Sequence, residues 1–152
     1  MTTTSPDRGT NHKETIMTTT YSDVLGRHSV EIPAHLEAQA EVPVCTGPQR
    51  QGDLIVLPSR PGVELGALVP ASGVPVVRGE AGGNTHLLVA DGPVSWLVGP
   101  VSDRLHLGTV TVPEGATAFL LHPEHGAQGI GPGTYRVRRQ REQADEIRMV
   151  AD

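Results

Sequence analysis

The chain has 152 residues, a length that one hydrophobic core can serve. Its formal net charge of −5 gives no general attraction to nucleic acid or to an anionic membrane surface, which argues against a polyanion as partner of the whole chain. With 37% hydrophobic residues, 3% aromatic, 18 Gly and 13 Pro, the composition disfavours long helices and leaves Val and Leu to build the core.

In chain order, the first 20 residues lack any periodic apolar pattern and are expected to be a disordered tail. The tetrapeptide Met-Thr-Thr-Thr occurs at Met1 and again at Met17, so translation starting at Met17 is an alternative. Residues 21–50 carry scattered apolar side chains broken by Pro33, Pro43 and Pro48, which reads as a poorly ordered arm with a short helical turn over 35–40. Cys45 is the single cysteine and cannot form an intramolecular disulfide. No signal-like run and no stretch of about 18 apolar residues occurs, and a cytoplasmic protein without a membrane span is expected.

Residues 51–152 read as one small β domain. Gln51-Gly52-Asp53 is a turn leading into an apolar run at 54–57 that Pro58 stops. Further short runs at 66–69, 74–78, 86–89, 94–98, 105–112, 116–121 and 134–141 are separated by glycine-bearing turns. Such spacing predicts a mostly β barrel or sandwich, with a cupin-like jelly roll as alternative. Asp91-Gly92 has the composition of a two-residue hairpin loop. Residues 143–152 place Ile147 and Val150 three apart among charges, as in a short C-terminal amphipathic helix.

The chemistry-bearing stretch is His122-Pro123-Glu124-His125-Gly126, at the end of an apolar run. Two imidazoles stiffened by a proline can share a metal, but zinc or iron generally needs a third protein ligand. His86, which follows a glycine turn and opens a strand, is the best third ligand; Glu124, Glu80 and His106 are further candidates. Glu124 between two histidines also suits acid-base chemistry. Polar turn residues with one ring bonded to backbone account for the same pattern without chemistry. No nucleophile stands out, and Gly82-Gly83-Asn84-Thr85 lacks the lysine of a phosphate loop.

Four arginines lie within residues 136–141. Alternation puts Tyr135, Val137, Arg139 and Arg141 on one face of a strand and Arg136 and Arg138 on the other. Such a strand can contact anions, RNA or single-stranded DNA. An edge strand protected by charge explains the arginines without any ligand, and a surface for an acidic protein is the next reading. A protein partner is expected over nucleic acid.

The order Gln51-Gly52-Asp53, a glycine turn with His86, His122-x-Glu124-His125-Gly126 and Tyr135-x-Val137-x-Arg139-Gln140-Arg141-Glu142 resembles a family of small uncharacterised bacterial and phage all-β proteins. The resemblance covers residues 51–152 and implies a shared fold but no established activity. In that family the glycine turn often carries Gly-His-x-His and Arg-Gln-Arg-Glu is followed by tyrosine; here Asn84 and Gln143 stand at those positions. The histidines also resemble those of cupins, whose His-x-His and later His hold a metal, although the spacing differs at both motifs. The expected function is a non-enzymatic binding or accessory domain, with one divalent metal on His86, His122 and His125. The alternatives are a small metal-dependent, cupin-like enzyme and RNA or single-stranded DNA binding through Arg136, Arg138, Arg139 and Arg141.

Overall fold

A computed structural model describes residues 19–28, 41–62, 64–77 and 85–140. The expected tail up to residue 18, the turn at 35–40, Glu80, Asn84, Arg141 and the C-terminal helix lie outside the described residues. In chain order the elements are α1 (Tyr21–Arg27), β1 (Val44–Cys45), β2 (Gln49–Gln51), β3 (Leu54–Pro58), β4 (Ala67–Leu68) and β5 (Val74–Pro75). They continue with β6 (Leu87–Asp91), β7 (Ser95–Val98), β8 (His106–Val112), β9 (Thr117–His122), β10 (Gly126–Ile130) and β11 (Gly133–Arg139). No helix among the described residues is long and apolar enough to cross a membrane.

The strands form two sheets, one of order β1-β10-β9-β6-β5 and one of order β2-β3-β11-β8-β7-β4. Side chains from both meet in one core, with Leu88, Ala118, Leu120 and Ile130 from the first and Leu54, Val56, Val110, Tyr135 and Val137 from the second. The architecture is therefore sandwich-like, and the described strands do not close into a barrel.

β9 is buried on both sides. Ala118 and Leu120 point between the sheets, while Phe119 and Leu121 join Val89, Ala127, Val42, Val24 and Leu25 in a second cluster. That second cluster explains the unbroken apolar run of β9, because α1 covers the sheet face that solvent would otherwise wet. Of the segment expected to be a poorly ordered arm, residues 21–28 and 41–50 thus supply structure. α1 starts with a capping box, in which Thr20 Oγ1 accepts the Asp23 N–H at 3.2 Å and the Asp23 carboxylate accepts the Thr20 N–H at 3.0 Å. These bonds hold the Asp23 carboxyl below its ordinary value.

Two expectations about connectivity are overturned. β11 is no edge strand, since it lies between β3 and β8. Its arginines therefore do not protect an open edge: Tyr135 and Val137 face the core while Arg136 is exposed on the opposite side. Asp91-Gly92 is no hairpin either, because β6 pairs with β9 in one sheet and β7 with β8 in the other. The turn carries the chain from one layer to the next, with Val94 N–H donating to Gly92 O at 2.9 Å.

Tyr135 is buried, its hydroxyl donating to Gly131 O at 2.9 Å, and burial pushes its phenol upward from the ordinary value. Replacing Tyr135 with phenylalanine leaves that carbonyl without the donor. Stability is expected to fall by about 1 kcal/mol, or about 3 °C in melting temperature. Denaturation followed by the fluorescence of Trp96, the single tryptophan, checks this.

Candidate functional site

Two hairpins and the start of β6 bring the site together. In the β9–β10 hairpin His122 pairs with Gly126, so Pro123-Glu124-His125 form a three-residue loop. Gly126 takes the positive φ of 80° that closes such a loop. Inside the turn His122 Nδ1 accepts the backbone N–H groups of Glu124 at 3.1 Å and His125 at 3.4 Å. A ring nitrogen that accepts is unprotonated, so neutral His122 carries its proton on Nε2.

In the β2–β3 hairpin Gln51 pairs with Leu54 across the two-residue loop Gly52-Asp53, with Gly52 at φ 58°. Buried Gln51 donates through Nε2 to Leu120 O at 2.9 Å. A carbonyl can only accept, which fixes the amide and turns Oε1 toward His86 Nδ1, 3.1 Å away. His86 Nδ1 must therefore carry a proton. Its backbone carbonyl is held by Val76 N–H at 3.1 Å, so both ring and main chain are oriented.

The remaining ring nitrogen of His86, Nε2, lies 3.4 Å from Asp53 Oδ1. Asp53 Oδ2 in turn accepts from Arg139 Nε at 3.1 Å. The three imidazoles form a tilted stack, with centroids 4.4 Å apart for His86 and His122 and 4.7 Å apart for His122 and His125. His86 and His122 are buried, whereas His125 and Glu124 are exposed. His122, Glu124 and His125 each bring one ligand-capable atom within 4.8 Å of the others.

Gly52 permits this approach. A Cβ there would stand 2.9 Å from His125 Nε2 and 3.6 Å from His86 Cε1. Gly52→Ala is expected to lose about 1–2 kcal/mol to the left-handed backbone alone. The methyl group should also push the exposed His125 ring off the stack, which imidazole proton shifts would read directly. A stack unchanged in Gly52→Ala would contradict the contact.

The structure thus joins His86, His122 and His125, with Glu124 in the same turn, and adds Gln51 and Asp53, which the sequence marked only as a turn. A polar residue on either side of a hairpin glycine was the available signal. His106 opens β8 in the other sheet, beside Thr109 Oγ1 at 3.5 Å from its Nε2. The arginines separate: Arg139 is tied to Asp53, while Arg136 lines another cleft together with Arg60 and Glu64. The family described as a domain of unknown function, DUF8820, matches residues 50–140. No curated protein and no solved structure matches the chain.

Proposed function

The chain belongs to the DUF8820 family of unknown function, and within it we propose a non-enzymatic binding domain that takes up one divalent metal, zinc or iron, at the histidine cluster. The observation that carries this reading is the approach of His86 Nε2 to Asp53 Oδ1 at 3.4 Å, with Nδ1 already donating to Gln51. The approach is favourable with His86 as an imidazolium or with a cation held between the two groups, and its 3.4 Å is longer than a direct hydrogen bond prefers. A shared proton would draw such a pair to about 2.7–2.9 Å. Two ligands of a tetrahedral zinc at about 2.0–2.2 Å from the ion stand about 3.3–3.6 Å apart.

The Nδ1–H bond to an amide oxygen is the outer-shell support that metal-bound histidines usually have. Arg139 gives Asp53 the same support. Of the three histidines, His122 has its Nδ1 committed to the turn, so it spaces the rings and holds the loop. His86, Asp53 and His125 are then the proposed ligands, and exposed Glu124 has a carboxylate oxygen within 4.8 Å of a His125 ring nitrogen. Two histidines with carboxylate suit zinc or iron. Cys45, the single cysteine, pairs with Ile130 at the end of β10 remote from the histidine turn and is not among the ligands of this reading.

Elemental analysis of protein purified without an affinity tag, with zinc titration of the stripped chain, tests the proposal. About one metal per chain and a melting temperature lowered by chelator are expected. His125→Ala, an exposed substitution that spares the core, should weaken zinc by at least about tenfold. Less than about 0.1 metal per chain, with no chelator effect, would overturn the reading.

A further inference from the structure

A cleft of about 280 Å³ opens where the loop between β7 and β8 meets the end of β11. Val77, Val101 and Leu107 give it apolar walls, and the basic residues Arg104, His106 and Arg139 line it as well. The rim is pinned by main-chain bonds, Gly99 N–H to Leu107 O at 2.9 Å and Arg139 N–H to Leu105 O at 2.8 Å. Asp103 is its acidic lining residue. One Asp103 oxygen accepts the backbone N–H groups of Leu105 at 3.0 Å and His106 at 3.2 Å. Those two bonds hold its carboxyl below the ordinary value, so Asp103 shapes the loop as an anion already satisfied by main chain.

We propose that this cleft binds a small organic carboxylate, its oxygens toward Arg104 and Arg139 and its hydrocarbon part against Val77, Val101 and Leu107. A largely pre-formed concavity with apolar walls and a few convergent polar groups is the usual form of a small-molecule site. Arginine supplies the planar donor pair that carboxylates match. The apolar walls favour an organic acid over a bare inorganic oxyanion, which would leave them wet. None of His86, His122 and His125 lines the cleft, and Arg139, whose Nε is bonded to Asp53, is the one residue it shares with the metal reading.

The test uses the full chain stripped of metal, with isovalerate, acetate, inorganic phosphate and chloride titrated against the methyl resonances of Val77, Val101 and Leu107. Saturable shifts with isovalerate are expected, at least about tenfold tighter than with acetate, because three further carbons are buried. Arg104→Ser should weaken isovalerate by at least about tenfold through loss of a charge-assisted bond. Arg60→Ser, in the other cleft, should leave it unchanged. Absence of saturable shifts, an equal response to chloride, an equal loss in Arg60→Ser, or phosphate binding more tightly than isovalerate would each overturn the proposal.

Discussion

Gln51→Leu is expected to lower the stability of the metal-free protein by about 2–4 kcal/mol, because two buried polar groups lose their partner at once. The amide bridges Leu120 O on β9 and His86 Nδ1 ahead of β6, and a leucine of similar size offers neither a donor nor an acceptor. Zinc affinity should fall by a further 10-fold to 100-fold, in the range seen when outer-shell partners of metal-bound histidines are removed. Measuring urea denaturation without metal and zinc binding under native conditions separates the two effects. A variant as stable as the parent would show that the amide makes no net contribution.

Leu120→Ala should be the more damaging substitution in the core. Leu120 is fully buried between the sheets and pairs in register with Leu88 on β6 and Gln128 on β10. Emptying such a site costs about 3–4 kcal/mol, against a total of about 5–15 kcal/mol for an ordinary domain. Its backbone carbonyl also receives Gln51, so a shift of β9 disturbs the bond that orients His86. The double variant with Gln51→Leu is accordingly expected to lose less than the two single losses combined. Strict additivity in the urea midpoints would mean that β9 does not move.

The eight apolar runs read from sequence correspond to strands because each couples β-branched or leucine side chains with a turn signal. β10 was not legible. Gly126-Ala127-Gln128-Gly129-Ile130 has little intrinsic strand preference, and it is a strand because β9 supplies one full ladder and β1 a two-residue parallel pairing at its outer side. A Cβ at Gly129 would stand 2.6 Å from Val44 Cγ2, so the glycine that hides the strand from propensity is also what lets β1 lie against it. α1 escaped for a related reason. Only Val24 and Leu25 of its seven residues are fully buried, too few to show a helical period.

The candidate site divides in the same way. His122 and His125 were conspicuous because Pro123 and Gly126 frame them, and His86 because it follows a glycine turn. Gln51 and Asp53 flank Gly52, a mark that announces a turn and nothing more. Their roles depend on the register of β2 against β3 and on the distance across to β9, quantities that arise only when the sheets are assembled. The arginine run misled because alternation reveals which faces a strand has and not how many neighbours. Both flanks of β11 are occupied, and Arg139 is turned to Asp53.

The covering of β9 by α1 bears on where this protein can be cut. The family match begins at residue 50, beyond the helix and beyond Val42 and β1. A recombinant fragment with that boundary would retain both hairpins of the histidine cluster. It would also lay bare Val89, Phe119, Leu121 and Ala127, a contiguous oily face on the outside of the five-stranded sheet. Faces of that kind recruit one another in solution. Self-association of such a fragment would therefore report the missing lid and not a native oligomer, and a chain that keeps residues 19–28 is the form in which ligand and metal measurements keep their meaning.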